Sequence, residues 1–209
     1  MMAVKVLAVR YLANAAQGLC DALGVPKGYH SLAMLTTDSD DPTYIALDEA
    51  TKAAEVKVCY GKSFYAGAPN ATTPYAGEVI GILAAATPGA ARSGMEAALA
   101  ALERVGFEDV GGVPCLAYTV SRTGAFLAEQ AGVREGTPLA YLIAPPLESM
   151  YAMDAALKAA DVKLCKLFTP PSETNFGGGL LSGSRSACEA ACAAFRDAVA
   201  QIARQPRES

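Results

Sequence analysis

The chain has 209 residues, a formal charge of -4 and 52% hydrophobic residues, which is enough to bury a core in each of two ordinary domains without disulfide or metal staples. Its acidic balance, with no cluster of Lys and Arg, excludes nucleic acid as a partner, because neutralising phosphates takes massed basic side chains. The longest apolar run, Val79 to Ala86, is far short of the ~18 residues of a membrane span, and Lys5 and Arg10 interrupt the stretch where a signal peptide keeps a continuous apolar core; a cytoplasmic location and no membrane partner are expected.

In chain order, Val4 to Val9 reads as a strand, Ala13 to Leu23 as a helix and Leu32 to Thr37 as a strand. Asp41 is the expected N-cap of the next helix, with Pro42 at its first position, and that helix runs through Ala54. Val56 to Tyr60 follows as a short strand, then a loop bearing Gly61, Gly67, Pro69 and Pro74. Glu78 to Ala84 reads as a strand, and Thr87-Pro88 announces a helix with a buried stripe of Met95, Ala98, Leu99 and Leu102. The order then recurs. Cys115 to Val120, Leu139 to Ile143, Val162 to Phe168 and Gly177 to Leu181 are the strands, and Gly124 to Ala131, Pro146 to Ala160 and Ser184 to Ile202 the helices. Small sheets covered by helices, an α+β sandwich in each half, are the expected fold class.

The recurrence is written in the residues themselves. ALDEATKAAEVKVC, Ala46 to Cys59, returns as AMDAALKAADVKLC, Ala152 to Cys165. Gly24-Val25 returns as Gly132-Val133, and Ser93 with Glu96-Ala97-Ala98 returns as Ser186 with Glu189-Ala190-Ala191. A period of roughly a hundred residues is a tandem duplication of a domain, far beyond a solenoid or propeller repeat. The expected boundary gives a first domain at 1–108 and a second at 109–209. Two similar units on one chain can replace two subunits of a ring.

The six cysteines form no C-x-x-C pair and the single histidine, His30, stands alone, so neither a metal site nor a cofactor is expected. Cys188 and Cys192 share a helical stripe with Ala191, Phe195, Val199 and Ile202, where free cysteine behaves as a small hydrophobe. No phosphate-binding glycine motif followed by lysine and no nucleophile with a base partner can be identified, so the chain does not read as an enzyme. Asp48 with Lys52 and Asp154 with Lys158 stand at i,i+4 in the favourable acid-before-base order, worth about 0.2–0.5 kcal/mol each.

The blocks around Lys52 and Lys158 resemble the signature segment of the bacterial microcompartment (BMC) shell domain, and each half's second alanine-rich helix resembles the helix that follows it. A strand and helix precede the signature in both halves, which is similar to the circularly permuted form of that domain found in tandem shell proteins. Thr37-Asp38-Ser39-Asp40-Asp41, Ala76-Gly77-Glu78-Val79, Val120-Ser121-Arg122-Thr123-Gly124, Ala144-Pro145-Pro146-Leu147-Glu148 and Pro170-Pro171-Ser172-Glu173-Thr174-Asn175-Phe176 resemble, more narrowly, the ethanolamine-utilisation shell proteins of this family. The likeness covers nearly the whole chain.

That resemblance implies two permuted ferredoxin-like BMC domains and a homotrimer shaped as a pseudohexagon. Such a tile packs with other microcompartment shell proteins into a shell in the bacterial cytoplasm. Lys52 and Lys158 match the tile-edge lysine, beside the plain reading of both as helix-surface ion pairs. The loops between Tyr60 and Gly77 and between Phe168 and Gly178 match those that ring a gated central pore, with Phe64, Tyr65 and Tyr75 as bulk and Gly177 and Gly178 as flexible points. Asp40, Asp41 and Glu78, with Phe107, Ala144, Thr174, Asn175 and Phe176, match a small-pore site for an amino-alcohol such as ethanolamine. Carboxylates suit its ammonium and an aromatic face adds cation attraction. A trimeric amino-alcohol sensor that does not tile is the alternative from the same residues.

Overall fold

The computed structural model describes residues 1–64, 77–170 and 175–207. Packing divides the chain into two compact units, one of Ala3–Val105 with Gly124–Leu127, the other of Met1–Met2, Gly106–Thr123 and Ala128–Ser209.

The first unit carries β1 (Val6–Leu12), α1 (Gln17–Ala22), β2 (Ser31–Thr37), α2 (Asp40–Ala53), β3 (Lys57–Ser63), β4 (Val79–Ala85) and α3 (Pro88–Leu102). Its strands form an antiparallel sheet in the order β1-β2-β4-β3. Successive strand residues face opposite sides. Accordingly Ala33, Leu35, Leu83 and Ala85 pack with Leu47, Met95, Ala98 and Leu102 of α2 and α3, while Leu32, Ile82 and Ala84 pack with Ala15 and Cys20 around α1. Leu99, expected in the buried stripe, is half-buried against that core. Thr87 caps α3, its hydroxyl accepting from Ala90 N–H at 3.2 Å, and Pro88 opens the helix.

The second half follows with β5 (Glu108–Asp109), β6 (Pro114–Val120), α4 (Ala125–Ala131), β7 (Leu139–Ala144), α5 (Pro146–Ala159), β8 (Val162–Phe168), β9 (Gly177–Gly183) and α6 (Arg185–Arg204). The strand order is β5-β6-β7-β9-β8. Phe195 is fully buried in this core with Cys188, Ala191, Cys192 and Val199, each large apolar side chain contributing about 1.5–3 kcal/mol. Burial pushes the Cys115 thiol up to about 12 and the Cys192 thiol up to about 11, the hydroxyl of Thr119 pulling Cys192 the other way. These are packing residues in the thiol form.

The duplication extends to backbone detail that the residues alone did not disclose. Both edge strands, β3 and β8, slip register at the repeated cysteine, between Val58 and Tyr60 and between Leu164 and Lys166, the signature of a β-bulge. Both short helices end alike. Gly24 and Gly132 take φ of +64° and +63°, Val25 and Val133 donate to Cys20 and Ala128 at 2.9 and 3.0 Å, and the two glycines donate to Asp21 and Glu129, each at 3.2 Å. That pairing is the Schellman cap, and only glycine takes its left-handed position without strain.

Three expectations are corrected. The N-cap of α2 is Ser39, in extended conformation, and Asp40 and Asp41 lie in the first helical turn. Thr37 and Thr43 tie this end together: the Ser39 N–H bonds the Thr37 hydroxyl, and both threonine hydroxyls reach the Ser39 carbonyl. With the chain already fixed there, Asp41 is carried two positions past the cap. The helix expected from Ala13 is only Gln17–Ala22, because the chain from Ala13 to Ala15 is bonded to the start of β2 and the residue before it: the Ala13 carbonyl accepts from the Ser31 hydroxyl, and the Ala15 N–H donates to the His30 carbonyl. Gly177 and Gly178, expected both to open a strand and to be flexible points of the pore loop, are strand residues of β9, facing Ala144 and Ile143 of β7, so the loop placement is the one that fails. Gly178 has φ of +143°, and a Cβ there would collide with the Leu142 carbonyl, so close strand approach explains this glycine.

Candidate functional site: loop bases and a buried carboxylate

In the first unit, the expected acidic residues collect where β2 turns into α2 and where β4 begins. Asp40 and Asp41 are both buried despite their charge, and the Asp40 carboxylate accepts from Asp41 N–H at 2.9 Å. Carboxylates in a first helical turn are favoured by the helix dipole and by unpaired first-turn amides. Glu78 joins this region through its backbone: its N–H donates to the Thr37 carbonyl at 2.7 Å, and its carbonyl accepts from Phe64 N–H at 2.9 Å. Phe64 and Glu78 thus close the base of the β3–β4 loop. Gly77 lies so close to Thr36 and Thr37 that a Cβ there would overlap the Thr36 hydroxyl and the Thr37 carbonyl. The Thr36 hydroxyl is buried with no hydrogen-bond partner among the described residues. Tyr65 and Tyr75 lie outside the described residues.

In the second unit, Phe107 and Phe176 stack with ring centroids 5.6 Å apart, an arrangement worth about 0.5–1.5 kcal/mol beyond area burial. Phe107 is held at its backbone by Met2 N–H, at 2.6 Å. Ala144 ends β7 and is fully buried. Asn175 is exposed just before β9, and Thr174 lies outside the described residues.

The two repeated lysines are in unlike surroundings. Lys52 lies 3.5 Å from Asp48 and bonds Glu49, its side chain 21% exposed. Lys158 bonds Asp154 at 2.6 Å with both side chains well exposed.

Asp48 is the feature sequence reasoning missed, since it was read as half of a surface pair. Its side chain is fully buried. Its carboxylate accepts from Gly124 N–H at 2.7 Å and Leu127 N–H at 2.8 Å, while the Thr51 hydroxyl accepts from Ala125 N–H at 3.0 Å. Phe126 meets Tyr44 at 6.1 Å between ring centroids. Residues 124–127 are therefore pinned to α2 of the first unit. Gly124 is required, since a Cβ would run into Thr51 and the Asp48 carbonyl. Burial holds the Asp48 carboxyl above the usual carboxylate range, opposed by the two amide bonds and then by Lys52. The Thr123-Gly124 pair ahead of a short helix was the one visible signal, and nothing in it pointed to Asp48.

The permuted order of elements, the paired bulges and the paired helix ends describe one small domain made twice. The BMC domain model matches residues 31–113. A bacterial microcompartment shell protein EutL from Clostridium perfringens is 54% identical over 205 residues, covering 96% of this chain and 94% of that protein. The chain belongs to the EutL family of bacterial microcompartment shell proteins. EutL of Salmonella typhimurium is 48% identical over the same span. Among solved structures, EutL from Leptotrichia buccalis superposes with a TM-score of 0.96 at 53% identity, covering 100% of this chain and 98% of that one. At 23% identity and a TM-score of 0.76, the trimeric shell protein PduB shares the fold. This EutL-family chain has no described helix long and apolar enough to cross a membrane.

Proposed function

We propose that the chain assembles as a homotrimer whose six BMC domains form a pseudohexagonal tile. The tile packs with other shell proteins around an ethanolamine-utilising enzyme compartment in the bacterial cytoplasm. The observation that carries this is the 54% identity to a shell protein over nearly the full length of both chains, together with a duplicated domain able to stand for two ring subunits. The chain's task is structural and selective rather than catalytic. The division into domains 1–108 and 109–209 belongs to the same reading.

Lys52 and Lys158 serve tile-edge contacts, the exposed Lys158 being the freer of the two to reach a neighbour. The β3–β4 and β8–β9 loops ring the central pore. Phe64, Tyr65 and Tyr75 supply its bulk, while Gly177 and Gly178 anchor the second loop from within a strand. Asp40, Asp41 and Glu78 offer carboxylates to the ammonium of an ethanolamine-like solute. Phe107, Phe176, Ala144, Thr174 and Asn175 supply apolar and polar wall. Buried acidic side chains support this, because a small organic cation losing its hydration is held by charge-assisted bonds. Calorimetric titration of ethanolamine tests it: binding to the wild type that is lost or weakened severalfold in Glu78→Gln supports the site, and equal heats remove Glu78 from it.

A further inference from the structure

Two residues with exposed side chains are held tightly at their backbone. Met1 is 65% exposed and Met2 46%, so burial of their side chains does not account for where they lie. The Met2 N–H nevertheless donates to the Phe107 carbonyl at 2.6 Å, and the Met2 carbonyl lies over Gly106. A Cβ built at Gly106 would overlap that carbonyl oxygen and stand 3.2 Å from Met1 Cγ. Gly106 and Phe107 are both buried. Packing groups Met1–Met2 with these two residues in the second unit, although Ala3 onward belongs to the first.

Phe107 stands between α3 and the two-residue strand β5, outside any helix or strand, so no ladder sets its backbone. The bond from Met2 takes that part. Side-chain rotamers follow the backbone dihedrals, and the ring this backbone carries is the one stacked on Phe176 at 5.6 Å.

We infer that Met1–Met2 is a positioning segment of the solute site: by bonding the Phe107 carbonyl and closing over Gly106, it holds the Phe107–Phe176 stack in place as the aromatic wall facing the ammonium of an ethanolamine-like solute. The segment acts through its backbone. Glycine at 106 is therefore required, while the side chains of residues 1 and 2 are free to vary. The inference rests on the site proposed above and adds to it a part that touches no solute.

The test is ethanolamine calorimetry on the wild type, on the chain truncated to begin at Ala3, on Gly106→Ala, and on the two changes combined, with mass, far-UV circular dichroism and thermal melting recorded for each. One aromatic contact to a cation is worth a roughly 2- to 10-fold change in Kd. Truncation is expected to weaken binding by that factor. Gly106→Ala is expected to do the same, because its Cβ pushes the Met2 carbonyl away. The combined variant is expected to be no weaker than either, since both changes remove one contact. Met2→Leu keeps the backbone bond and is expected to bind as the wild type does. A merely structural segment would lower Tm and leave Kd unchanged in protein folded at the titration temperature. Where one single change melts below that temperature, the other decides. Wild-type Kd in the truncated chain, effects that multiply in the combined variant, or Met2→Leu as weak as the truncation each overturn the segment's role and leave the site standing. A wild type that takes up no ethanolamine overturns both.

Discussion

Asp48→Ala removes two buried hydrogen bonds at once and leaves the amides of Gly124 and Leu127 facing a cavity on α2. A bond to a charged acceptor contributes about 1.5–3 kcal/mol, and relief of the desolvated carboxylate offsets part of the pair, so a net loss of about 2–4 kcal/mol is expected. Lys52 keeps its bond to Glu49, so no uncompensated charge adds to the loss. The assay is urea unfolding followed by circular dichroism at one fixed protomer concentration, since association shifts apparent stability. For a chain of this length each kcal/mol moves Tm by roughly 2–4 °C. The pH dependence adds a second reading through Asp48→Asn, which does not titrate. Because burial raises the folded-state pKa of Asp48, the folded state holds its proton to higher pH than the unfolded chain. The group's contribution is therefore fully present below the unfolded carboxylate range and declines as pH rises through the folded value. The advantage of wild type over Asp48→Asn should accordingly shrink from acid toward neutral pH. Asp48→Ala within ~1 kcal/mol of wild type would refute the claim that this carboxylate holds residues 124–127.

Other perturbations check separate parts of the account. Lys52→Ala with Lys158→Ala should leave the trimer intact while suppressing sheet formation seen by electron microscopy; sheets as before would end the tile-edge assignment. Gly178→Ala should cost more than ~2 kcal/mol in the same urea assay, because a left-handed backbone and the Leu142 carbonyl both oppose a Cβ. With a thiol reagent at pH 8, partly exposed Cys165 should react well before buried Cys115 and Cys192, whose thiols are pushed up to about 12 and about 11; equal rates would mean that the α6 core opens readily.

Much of the fold was legible because duplication printed the same pattern twice. Val162–Phe168 is the strand the alternation marks, and Thr87-Pro88 and Ser184 begin their helices as capping chemistry dictates. Local signals failed where long-range contacts decide. The N-cap of α2 moved from Asp41 to Ser39 because Thr37 and Thr43 gather on the Ser39 carbonyl, an arrangement that needs β2 and α2 already in place. Asp48 and Asp154 are identical in their i,i+4 spacing to lysine, yet one is buried under residues 124–127 and the other faces solvent. No periodicity within either repeat distinguishes them, because the difference lies in what each helix is packed against. Of the acidic residues expected to bind ligand, the motifs gave identity, and the structure adds that Asp40 and Asp41 are buried beside a loop base closed by Phe64 and Glu78.

Negative-stain imaging of the concentrated protein, with its solution mass taken alongside, decides whether this chain is a shell tile. Trimers that order into hexagonally packed sheets are the predicted result. Trimers that stay as separate particles at every concentration, and also in the presence of partner shell proteins, would contradict it.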